Sequence, residues 1–140
     1  MSEANVEIAK RALDAFNRRD VDAFMELTTS DFELFPAMAG SVDGSSVTGR
    51  EGLETLFAEV RDIWEEQHVI ADEFRDLGDR VLALGRIVGR GRSSGIPVAT
   101  PAAIISDFRD GKMWRTRTYL DHGEALRAAG ADDAAGPPAT

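Results

Sequence analysis

Two ionisable side chains stand where they could move a proton. His68 and Asp72 are four apart in a stretch, His68 to Phe74, that reads as a strand, so they share one face with Ile70 and Phe74. Histidine titrates near neutral pH, and a His68 turned into a cavity would serve as a general base. Asp72 stands roughly 13 Å further along an extended strand, too far to orient the ring directly. The plainer alternative is that both are solvated at a sheet edge. Asp43 is the second candidate base. It lies in residues 37–47, AMAGSVDGSSV, small and polar enough for a mobile loop over a cavity mouth. The alternative is an ordinary surface loop with a turn aspartate.

Other groups could bind without reacting. From Lys112 to Leu120 the residues alternate, with Trp114, Thr116, Thr118 and Leu120 uncharged against Met113, Arg115, Arg117 and Tyr119. Ala102, Ile104, Ser106 and Phe108 form a matching uncharged set, expected to face inward. Hydroxyls orient a carbonyl or phenol but are no bases without a neighbour. Phe16, Phe35, Trp64 and Trp114 could line the same pocket, although Trp64 on a helical stripe also fits plain core. To keep the uncharged sets on one face, the hairpin between these strands is expected to use a three-residue loop, Arg109-Asp110-Gly111, pairing Ile104 with Thr116.

Arg115 and Arg117 then fall on the opposite face with Tyr119. A two-residue Ser94-Gly95 turn would put Arg86 and Arg90 beside them, whereas a three-residue loop there would turn those two inward. Together on that face, the four suit a homodimer surface, with an anion site as the sharper alternative. Leu82, Leu84, Val88, Ile105, Met113 and Tyr119 join them there, a convex face expected to be bare until a second copy covers it. His68 and His122 have no ligand-spaced companions and there is no cysteine, so neither a metal nor a cofactor is expected.

Positioning these groups falls to a short list of elements. Val6, Ala9, Leu13 and Phe16 make a helical stripe over residues 5–18, and Asp20 can cap a second short helix, VDAFMELT. DFELF reads as a strand stopped by Pro36. Thr48-Gly49-Arg50-Glu51 has the capping-box pattern, opening a helix with Leu53, Leu56, Phe57, Val60 and Trp64 inward. The 68–74 strand and three long strands within 80–121 follow. Asp121 and Glu124 open a last short helix that Gly130 ends. Helices grouped ahead of an antiparallel sheet make an α+β domain. Gly85, Gly89 and Gly91 would let that sheet curve around the helices and leave a conical hollow.

The chain has 140 residues, enough for one domain, expected over residues 1–129 with a disordered tail at 130–140. Its net charge of −9 argues against nucleic acid, and no apolar run approaches a membrane span. A cytoplasmic protein is the expectation, since the N-terminus has no signal-peptide pattern.

The order and spacing of RRDVDAF, TGREGL, LGDRVLALGRIVGRGRSSG and FRDGKMWRTRTYLD resemble the nuclear transport factor 2-like superfamily, in its SnoaL-like and ketosteroid-isomerase-like branch, over residues 5–129. The resemblance implies a curved sheet wrapped around N-terminal helices. It also implies where that isomerase's groups would fall: its base at Phe35, its oxyanion-hole acid at Ile104, its tyrosine at Ala12, all apolar here. The Arg-x-Asp of limonene-type epoxide hydrolases would fall at Gly85 and Ile87, and their final aspartate at Thr118. Neither mechanism is expected in its usual form. The resemblance and the uncharged cavity face together suggest a protein that binds a hydrophobic, oxygenated, polyketide- or terpenoid-like molecule, as a cofactor-free isomerase, cyclase or lyase. The alternative is a non-catalytic ligand-binding or structural homodimer module.

Overall fold

The computed structural model describes residues 2–36 and 46–130. Two helices open the chain, α1 (Ser2–Arg18) and α2 (Val21–Met25), followed by the strand β1 (Thr28–Phe35). A two-residue strand β2 (Val47–Thr48) leads into α3 (Gly49–Ile63). Four long strands follow, β3 (Trp64–Asp76), β4 (Arg80–Gly91), β5 (Pro97–Arg109) and β6 (Lys112–Tyr119), and α4 (His122–Ala129) comes last.

Local chemistry sets the boundaries. The carboxylate of Asp20 accepts from the Ala23 amide at 3.0 Å and starts α2. Asp121 does the same for α4 through Glu124, at 2.9 Å, and Gly130 ends that helix in the left-handed region. Thr48 precedes α3, but its side chain makes no capping bond, so the expected capping box does not form there. Residues 131–140 of the expected tail at 130–140, and residues 37–45 of the expected loop at 37–47, lie outside the described residues, while Val47 belongs to β2.

The six strands form one sheet in the order β2-β1-β6-β5-β4-β3. It is mixed, not purely antiparallel: β1 runs parallel to β6, while the other pairings are antiparallel. The concave side is packed by α1, α2 and α3 around one core that includes Ala15, Phe24, Phe32, Leu53 and Phe57. Asn17 pins α1 to the free edge of β3, its side-chain amide donating to the Val69 carbonyl and accepting from the Val69 N–H, both at 2.9 Å.

Two irregularities bend β3 against β4, one between Trp64 and Glu66 and one between Ala71 and Glu73. Glycines sit opposite both. A Cβ on Gly89 would be driven into the Glu66 carbonyl, and one on Gly85 into the Ile70 carbonyl.

The β5–β6 hairpin departs from the expected three-residue loop. Arg109 pairs with Lys112 across a two-residue Asp110-Gly111 turn, both residues at positive φ (52° and 79°). A bulge at Trp114 then shifts the ladder by one, so that Ser106 meets Thr116 and Ile104 meets Thr118. The uncharged sets do share a face, but the extra residue is in the strand and not in the turn. The bulge also reverses its own end of β6: Met113 is buried in the inner core, and Trp114 turns outward between Arg109 and Arg115. At the other hairpin Gly85 pairs with Ala102, which keeps Arg86 on the outer face, where it meets Asp72 at 2.8 Å.

That outer face is not bare. Helix α4 folds back on it, and Leu82, Leu84, Ala103 and Ile105 are buried beneath Ala125 and Ala129. The apolar surface expected to need a second copy is thus largely covered within the chain, at about 25 cal/mol per Å² of apolar area removed from water. No described helix is long and apolar enough to cross a membrane.

Candidate functional site

Between the concave sheet face and the helices lies a hollow of about 90 Å³, several times the roughly 10–15 Å³ one water requires. Its wall is mostly apolar, from Phe16 and Phe24 on the helices through Leu34 to Val81, Ile104 and Met113 on the strands. Four polar side chains interrupt it: Gln67, Ser106, Thr116 and Thr118. None of the described residues lining it is ionisable.

The three hydroxyls come from adjacent strands. Ser106 on β5 faces Thr116 on β6, and Thr118 is one inward position along. Ser106 and Thr116 are 6% and 7% exposed, yet none of the three makes a hydrogen bond with the described residues. None of the three oxygens is a buried orphan; they open on the hollow and are places for water or a ligand's oxygen.

Gln67 supplies the fourth polar group, from β3 on the far side of β4. Its Oε1 accepts from the Arg19 Nη2 at 3.0 Å, and its backbone carbonyl accepts from the same nitrogen at 2.8 Å. Arg19 sits just past α1 at φ 58°, donates also to the Phe16 carbonyl at 2.7 Å, and stacks on the rings of Phe16 and Phe57. Burial holds its pKa below the ordinary arginine range, with Arg61 nearby adding to the effect. No carboxylate among the described residues pairs with it. Neither residue is found by reading the sequence. The available signal is a lone polar residue in phase with Val69, hidden because the bulge beside Glu66 obscures that phase.

The candidates from sequence separate into groups. Phe16, Ile104, Ser106, Thr116 and Thr118 line the hollow. Ala102 is buried on the same face beside Val69 and Ile87, and Trp64 is buried in the core. Phe35 is half-buried at the end of β1, outside the wall. Trp114 faces outward because of the bulge, and Leu120 is 42% exposed beyond β6. His68 pairs with Val88 and is exposed on the outer face, so it cannot act as a base within the hollow. The bulge at Asp72 separates it from Phe74, which lines the hollow. Asp43 lies outside the described residues.

On the outer face, Asp107 is only 4% exposed and is held by Arg115 at 2.8 Å, Arg80 at 3.2 Å and Arg117 at 3.4 Å. Arg86 and Arg90 are not part of this group, being paired with Asp72 and Glu66. No cluster of side chains among the described residues has the makings of a metal site.

A SnoaL-like domain family model matches residues 9–116. Solved structures with the same fold include a nuclear transport factor 2-like protein of unknown function from Burkholderia pseudomallei, at 20% identity and a TM-score of 0.74 over 89% of this chain and 95% of that one. TerC, crystallised with polyporic acid, is similar at 22% identity and TM-score 0.74, over 91% and 98%. A proposed SnoaL-like polyketide cyclase from Jannaschia sp. CCS1 is similar at 22% and 0.71, over 93% and 94%. A search of curated proteins finds no match.

Proposed function

The chain belongs to the SnoaL-like family, and from that premise we propose that it is a cytoplasmic protein that binds a small, largely apolar, oxygenated molecule in the hollow of its cone. One observation carries the reading: Ser106, Thr116, Thr118 and the Gln67 amide nitrogen are left without protein partners among the described residues, in an otherwise apolar enclosure. An apolar pocket with a few convergent polar groups is the usual form of a small-molecule site. TerC's polyporic acid supports a ligand of this kind.

Thermal-shift screening of a panel of hydrophobic phenols and enones tests it. Binding should raise the midpoint in the wild type and do so less in Ser106→Ala with Thr118→Val. A panel that leaves the wild type unshifted would count against the reading.

The catalytic form of the proposal is a cofactor-free isomerase, cyclase or lyase on a polyketide- or terpenoid-like molecule, favoured by the neighbour named for polyketide cyclases. No described lining residue takes up a proton near neutrality, so its base must come from elsewhere, and Asp43 is the candidate. Turnover lost in Asp43→Asn with ligand binding retained supports that form; unchanged turnover removes Asp43 from it. For the structural alternative, a homodimer would use the part of the convex face beyond α4, around Ile70 and Val88. A wild type sedimenting as a dimer and Val88→Asp as a monomer would support this; a monomeric wild type would exclude it.

A further inference from the structure

Resting on that reading of the hollow, we infer that Gln67 is the donor that selects the ligand, and that it favours an acidic enol or phenol bound with its oxygen as the anion. The amide has one orientation. Its oxygen meets a guanidinium nitrogen of Arg19 at 3.0 Å, and a flipped amide would set donor against donor. The nitrogen is therefore the end left over, and it donates to no acceptor among the described residues, although Gln67 lines the hollow and is 7% exposed.

Arg19 makes this more than a spare donor. It brings a positive charge against the amide oxygen, with no carboxylate among the described residues to offset it, and four further contacts fix it: the Phe16 carbonyl, the Gln67 carbonyl and the rings of Phe16 and Phe57. A cation at the oxygen draws electron density from the nitrogen and strengthens its N–H bonds as donors. The charge itself stays outside the wall, so the hollow receives its influence through a neutral group. Such a donor is worth most to an acceptor carrying negative charge.

The sign of one measurement separates this from a merely structural Gln67. An apolar enclosure without a matched donor drives a bound phenol toward its neutral form, because burial disfavours the charged one. A strengthened donor drives it the other way. The probe is 4-nitrophenol, whose neutral and anionic forms absorb at different wavelengths, with 4-nitroanisole as an uncharged control of similar shape. Wild type should bind 4-nitrophenol with a larger phenolate fraction than the free probe has at the same pH. Gln67→Met should reverse that shift and weaken phenolate binding by about 10- to 100-fold, the span of a hydrogen bond to a charged group. Gln67→Glu, which keeps an acceptor for Arg19, should lose the phenolate preference equally. Both should lose less affinity for 4-nitroanisole than for the phenolate. A wild-type complex holding less phenolate than the free probe overturns the inference, whether or not the variants fold. So does an excess of phenolate that survives in either variant. If wild type binds neither probe, the binding reading falls and takes this inference with it.

Discussion

The Nε2 of His122 lies 2.9 Å from the carbonyl oxygen of Gly85. The same nitrogen is 3.0 Å from the Ala102 carbonyl, so it faces two acceptors and must carry its proton. The contact ties the first residue of α4 to the bend of β4, across the strand pair that the helix covers. His122→Ala should therefore lower stability by about 1–3 kcal/mol, the cost of leaving buried acceptors unpaired. It should also speed amide exchange in α4 ahead of the sheet. Denaturant midpoints and hydrogen exchange check both, and uniform exchange across the two would argue against the tether.

Gly85→Ala should be worse tolerated than its small size suggests. The added methyl meets the Ile70 backbone, which cannot rotate away as a side chain could. A loss of about 1–3 kcal/mol in denaturant unfolding, or failure to fold, is expected from overpacking. Gly78→Ala is the instructive contrast: nothing lies within reach of its Cβ, so any cost there comes from its positive φ alone.

Asp107→Asn should cost about 3–5 kcal/mol, because it leaves three arginines around a neutral group in a partly buried place. Asp72→Asn, which frees one exposed arginine, should cost about 0–1 kcal/mol. Equal denaturant midpoints for the two variants would show that the Asp107 cluster is not the tighter one.

Acid should weaken the start of α2. The Ala23 amide chiefly, with Arg18 adding, holds the Asp20 carboxyl below the usual carboxylate range. A depressed folded-state pKa gives stability that is complete above the unfolded value of about 4 and is lost as pH falls through the folded one. The stability gap between wild type and Asp20→Ala should accordingly be full at neutral pH and shrink below about pH 4. A gap that stayed constant into strong acid would mean that the charge contributes nothing.

Much of the fold and part of the site are legible in the residues alone. Alternation in β5 and β6 puts Ser106, Thr116 and Thr118 on one face, since two uncharged sets can share only the inner side. Asp20 and Asp121 mark helix starts because their side chains reach a backbone N–H three residues on. Some of the misses share a source. Unbroken period-two counting puts His68 and Phe74 on one face and Trp114 inside, and each lies on a strand where a bulge interrupts the count. The solvated alternative for His68 holds. The fold of α4 onto Leu82 and Ile105 is hidden for another reason. A short helix after a strand carries no sign of which face it will cover. Gln67 depends on Arg19, 48 residues away, a pairing that no local pattern records.

The bulge at Trp114 also bears on how such a protein could change over generations. Trp114 is the one residue of β6 without a partner across the ladder, so losing it would leave the turn intact and keep Met113 opposite Phe108 and Arg115 opposite Asp107. Thr116 and Thr118 would stay inside, and Arg115 and Arg117 would stay on the outer face beside Asp107. Deleting a single codon would thus remove the ring between Arg109 and Arg115 while leaving the hydroxyl-lined chamber and the partners of Asp107 in place.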